Sequence, residues 1–73
     1  MLVVDDVAVQ RAAGALRSKN WASFSELEEV TGLTRTELIA SKDAIEQILQ
    51  LDDPDIFLTS RIDLKPEGFE VNF

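Results

Sequence analysis

The chain has 73 residues, no cysteine and no histidine, and its 14 acidic against 7 basic side chains leave a net charge of −7. That length allows one small domain near the lower limit for folding without staples, and the missing cysteines exclude a disulfide framework and thiolate metal sites while fitting a reducing compartment. No apolar run approaches the about 20 residues needed to cross a bilayer, and Met1-Leu2-Val3-Val4 meets Asp5 and Asp6 at once, unlike a secretion signal, so the sequence predicts a soluble, cytoplasmic protein with no membrane partner.

Asp6 to Lys19 predicts a first helix. Val7, Val9, Ala12, Ala13 and Leu16 supply its apolar positions, Asp5 or Asp6 complements the positive end of its dipole, and Arg17 and Lys19 complement the other end. Gly14 inside it costs about 1 kcal/mol relative to alanine, which a closely passing backbone would justify. Trp21, Ala22, Ser23 and Phe24 form a connection in which Trp21 and Phe24 are expected to anchor the core. Ser25 and Glu28 have the Ser-x-x-Glu spacing of a capping box, so a second helix starts near Glu26, and Gly32 ends it in the left-handed conformation glycine adopts without a Cβ penalty. Thr34-Arg35-Thr36-Glu37 is a second box, and so short a link forces the two helices to cross steeply.

The third helix is expected from Arg35 to about Gln50, with Leu38, Ile45, Ile48 and Leu49 inward. Ser41 has the chemistry of a fresh N-cap with Asp43 in the turn after it, so a bend or two short helices is a second outcome of the same residues. Asp52-Asp53-Pro54-Asp55 closes the helical part, because proline disfavours helix in the residue before it. Ile56, Phe57 and Leu58 lead into Arg61–Phe73, which alternates apolar and polar residues on both sides of a turn. With Lys65-Pro66-Glu67-Gly68 as the loop, Leu64 falls opposite Phe69 and Ile62 opposite Val71, pairing the apolar side chains on one face. Such a hairpin is marginal alone, so that face must lie on the helices.

Glu26-Leu27, Gly32, Leu33-Thr34-Arg35 and Leu38 resemble the helix-turn-helix of winged-helix proteins; the chain departs from that pattern at Glu28, Ser41 and Lys42. The resemblance implies an α+β fold: one small winged-helix-like domain spanning 1–73, with three helices followed by a C-terminal two-stranded hairpin or wing, the helix-turn-helix at about 25–50 and the wing at about 56–73. Members often carry a very short strand, joined to the wing, where Trp21–Phe24 stands here. The resemblance also implies a binding surface made by the second helix, the third helix and the wing.

Charge then separates the functional readings. A winged helix that binds DNA presents lysine and arginine on its second motif helix and wing, because phosphate neutralisation supplies most of the affinity. Here residues 34–50 hold two basic and three acidic side chains and residues 51–73 two and six, a field that repels a polyanion at long range. The preferred reading is therefore a regulatory or assembly module working through protein contacts, with Glu26, Glu28, Glu29, Asp52, Asp53 and Asp55 as the surface for a basic protein partner. Phe57 or the Met1–Val4 segment, exceeding what so small a core covers, favours a homodimer. The second reading is a DNA-binding regulator using Arg35, Thr36, Lys42, Arg61 and Lys65; the third is an acidic inhibitor whose carboxylates imitate nucleic-acid phosphates.

An enzyme is not expected. Without histidine, cysteine or tyrosine, acid-base and nucleophilic roles would fall to carboxylates, lysines or serines in a domain too small to bury a pocket. Asp52-Asp53-Pro54-Asp55 lacks the glycine and distal glutamate of a calcium loop, and no phosphate-binding glycine loop is present, so neither metal nor cofactor is implied.

Overall fold

The computed structural model describes residues 6–63 and 65–73. Its elements run α1 (Asp6–Lys19), β1 (Trp21–Ser23), α2 (Phe24–Thr31), α3 (Arg35–Ala40), α4 (Lys42–Asp52), β2 (Phe57–Arg61) and β3 (Gly68–Asn72). The α+β class holds, but the count of elements expected from the sequence does not: among the described residues there are four helices and a three-stranded antiparallel sheet of order β1-β3-β2. The third strand is the short connection after α1, where Trp21, Ala22 and Ser23 pair with Glu70, Phe69 and Gly68. The fourth helix arises because the long helix expected from Arg35 divides at Ser41.

Ser41 divides it by a route other than the cap expected of it. Its side chain makes no capping hydrogen bond to α4. Instead the hydroxyl, in a residue only 1% exposed, donates back to the Glu37 carbonyl at 2.6 Å, while the Ser41 amide is shared between the carbonyls of Glu37 and Leu38. A hydroxyl bonded four residues back competes with the helix ladder and bends it; with φ −93° and ψ 0° the residue sits outside the helical well. Leu38, Ile45 and Leu49 still turn inward, with Ile48 partly buried beside them.

The first cap of the motif also moves. Ser23, two residues before the expected Ser25, is the N-cap of α2, its hydroxyl accepting from the Glu26 amide at 3.1 Å. The chain has to turn there, because Ser23 is still in the sheet and the Phe24 amide is already taken by the Glu67 carbonyl at 2.8 Å. Gly32 ends α2 as expected, at φ 75° with its amide on the Glu28 carbonyl. The second box forms completely: Glu37 N–H donates to Thr34 Oγ1 at 3.2 Å, and Thr34 N–H to Glu37 Oε1 at 2.9 Å.

That box makes a pH prediction. The Thr34 amide, and after it the Thr34 hydroxyl, hold the Glu37 carboxyl below its ordinary value of 4.5. Since the folded value lies below the unfolded one, the stability contributed by Glu37 is full above the ordinary value and is lost as pH falls through the lowered value. Glu37→Gln should flatten the acid limb of a stability-versus-pH curve below pH 4.5; an unchanged acid limb, measured by denaturant titration, would refute it.

Packing explains the remaining corrections. The ladder joins Leu58 to Val71 and Ser60 to Phe69, four residues away from the register expected for the hairpin. Ile56 and Leu58 lie against the helices, whereas Ile62, expected opposite Val71, is 53% exposed. Leu64, Asp5 and the Met1–Val4 segment lie outside the described residues. In α1 the inward face holds Ala8, Val9, Ala12, Ala13 and Leu16, and Val7, expected there, is exposed. Phe24 anchors the core as expected, its ring edge-to-face with Phe69 at 5.2 Å between centroids. Trp21 does not: it is half-buried on the outer side of the sheet, under the Arg61 guanidinium.

Candidate functional site

The α2 and α3 helices and the β2–β3 loop come together around Arg35. Arg35, the first residue of α3, lies over the Phe24 ring, 5.4 Å from its centroid, and its Nη2 is ion-paired with Glu67 Oε2, an oxygen shut off from solvent. Glu67 therefore holds two elements at once: its carboxylate takes Arg35 and its main-chain carbonyl takes the amide that opens α2. Lys65 joins Arg35 at an open cleft of about 250 Å³, but Glu28 and Glu67 line the same cleft, so its two cations face two carboxylates.

The other residues considered for DNA contact disperse. Thr36 is exposed on α3 and Lys42 is half-buried at the start of α4. Arg61 is drawn to Trp21, its guanidinium 4.9 Å from the ring centroid, a cation–π contact. The outward face of α3 is then Thr36, Ile39 and Ala40, with Ile39 43% exposed, and none of the three carries a charge.

The candidate acidic surface is divided too. Lys19 Nζ reaches Glu26 Oε2 at 2.6 Å, and Arg17 Nε reaches Asp52 Oδ2 at 2.9 Å with a further bond from Arg17 Nη2 to the Ile48 carbonyl. Both cations come from the last turn of α1, which therefore reaches the α2 and α4 acidic groups and neutralises one carboxylate of each. Asp53 Oδ1 accepts from the Asp55 amide at 3.1 Å. Glu28, Glu29 and Asp55 remain exposed. Exposed pairs of this kind are each worth at most about 1 kcal/mol, so their main effect is on charge presentation.

Comparison with known proteins finds no counterpart. No protein-family model, no curated protein and no solved structure matches the chain. The site must be read from its own chemistry. Among the described residues no group of three or more acidic side chains is placed to hold a metal ion, and no helix is long and apolar enough to cross a membrane. Two contacts decide which charges this part of the molecule presents: Glu67 takes Arg35, and the Glu46 carboxylate accepts the Leu58 amide at 2.8 Å along the outer edge of β2. Neither contact leaves a local signature, since Arg35 and Glu67 come from separate elements joined only by the fold.

Proposed function

We propose that this chain is a small winged-helix-like regulatory or assembly module that acts through protein contacts and catalyses no reaction. The observation that carries the reading is Arg35: the cation best placed for a phosphate is held by Glu67 and Phe24, leaving Thr36, Ile39 and Ala40 as the outward face of its helix. A polyanion would have to displace an internal carboxylate before gaining that arginine, against a net charge of −7. The short β1 strand that joins the wing through β3 supports the winged-helix part of the reading. The acid-mimic reading is weakened where Glu26 and Asp52 are spent on lysine and arginine.

The test is an NMR titration of the labelled protein with a mixed-sequence DNA duplex at low salt. No salt-sensitive shift is expected at Thr36, Lys42 or the Lys65–Gly68 segment, and Arg35→Ala should leave that result unchanged. Shifts at those residues that vanish on adding salt and weaken with Arg35→Ala would make the chain a DNA binder and overturn the reading.

A further inference from the structure

Away from the α3–wing surface, α1 and α4 lie side by side and leave between them a groove of about 410 Å³. Of the seven residues lining it, Asp6, Val9, Gln10, Ala44, Gln47, Ile48 and Leu51, only Asp6 is charged, in a chain of which 29% is charged. Beside the groove each helix carries an exposed line at i, i+3, i+7 spacing: Val7, Gln10 and Gly14 on α1, of which Gln10 lines the groove itself, and Ala44, Gln47 and Leu51 on α4, all three of which do. Leu51 is 83% exposed, more than any other large apolar side chain described. Gly14 faces open space, with no atom of the described residues within 4 Å of where a Cβ would stand. Nothing among the described residues therefore requires a glycine in the middle of this helix, although glycine there weakens it.

We propose that this face is a self-association surface whose occupant is a second copy of the same chain, bound about a two-fold axis running along the groove. Such an axis lays each α1 over the partner's α4. The Arg17–Asp52 pair shows that the C-terminal ends of α1 and α4 lie together, so Leu51 of one copy meets the α1 half that contains Gly14 of the other, where a missing side chain leaves room for it. The rims are complementary. One step of about 100° further from the groove on each helix stand Arg11 on α1 and Asp43 on α4, both exposed and neither in an ion pair among the described residues. The same axis sets each Arg11 on the side of the partner's Asp43. A wholly acidic or basic partner finds no field on this face to bind, whereas a second copy finds its own pattern reversed.

Helices of 14 and 11 residues give a face of roughly 20 Å by 18 Å per copy, and a total burial of roughly 700 Å². That lies below the standard interface, so the dimer is concentration-dependent rather than obligate. The inference is independent of whatever the α3–wing surface binds.

Sedimentation of the full chain from about 10 µM to about 1 mM tests it. A reversible monomer–dimer equilibrium is expected in that range. Leu51→Glu and Gly14→Gln should each weaken it by at least about ten-fold, while Gly14→Gln raises the unfolding midpoint because it replaces an exposed helical glycine. The opposite signs separate a contact effect from misfolding. A chain that stays monomeric to the top of the range overturns the proposal, as does a dimer that both variants leave intact. So does a dimer that appears only once residues 1–4 are removed, since the chain's own N-terminal residues would then be what covers the face.

Discussion

Gly68→Ala is expected to lower the unfolding midpoint by about 12 °C or more, the equivalent of about 3 kcal/mol in a domain of this size. The cause is steric and lies in the main chain. A Cβ at Gly68 would run into the Ala22 carbonyl oxygen and stand 2.7 Å from Ser23 Cα. Both obstacles are backbone, in the strand that pairs with Gly68 on one side while Arg61 pairs with it on the other. Neither can swing aside as a side-chain end would, so β1 has to leave the sheet or β3 has to shift, and either movement disturbs Ser23, which caps α2. The sequence assigns Gly68 to the end of a turn, where alanine would be a mild change; the structure makes it the point of closest approach between two strands. The other glycines calibrate the claim. Gly32→Ala should cost about 1 kcal/mol through its positive φ, and Gly14→Ala should add about 1 kcal/mol to the monomer, since none of the described residues crowds it. Circular dichroism melts of the three variants must rank in that order; a Gly68→Ala melt within a few degrees of the native protein would refute the steric account.

What the sequence makes legible is local chemistry. Thr34 and Glu37 form their box, Gly32 ends α2, and α1 spans Asp6–Lys19 as its charges and apolar spacing predict, because each of these signals is complete within one or two helical turns. What it hides is decided between segments. Ser23 and Ser25 have the same spacing to a glutamate, and only the strand pairing of Ser23 with Gly68 selects the first. The alternating run after Arg61 would pair well as a hairpin by itself, but Leu58 is the residue that reaches the helices, so packing draws the register toward Phe57–Arg61 and leaves Ile62 outside. The candidate site follows the same division. Arg35 is recognisable as the first residue of a capped helix, yet its ion pair with Glu67 depends on where a loop 32 residues later returns, and that contact decides whether the arginine is available.

Phe69→Ala is expected to cost the domain a large share of its stability. Phe69 is fully buried, pairs with Ala22 on one side and Ser60 on the other, and sets its ring against Phe24. Truncating a buried phenylalanine costs about 3–5 kcal/mol, against a total of roughly 4–11 kcal/mol for a chain of this length. Phe69→Leu, which keeps most of the volume, should retain a cooperative transition. The site is coupled to this core through Phe24, which touches Phe69 with its ring edge-to-face and carries Arg35 above it. A double-mutant cycle of Phe24→Leu with Phe69→Leu should therefore return an interaction term of about 0.5–1.5 kcal/mol. A smaller cycle of Phe24→Leu with Arg35→Ala should return at least a few tenths. If the first term were zero, the two rings would be neighbours without being partners. If the second were zero, Arg35 would be held by Glu67 alone, and the outward face of α3 would depend on the loop and not on the core.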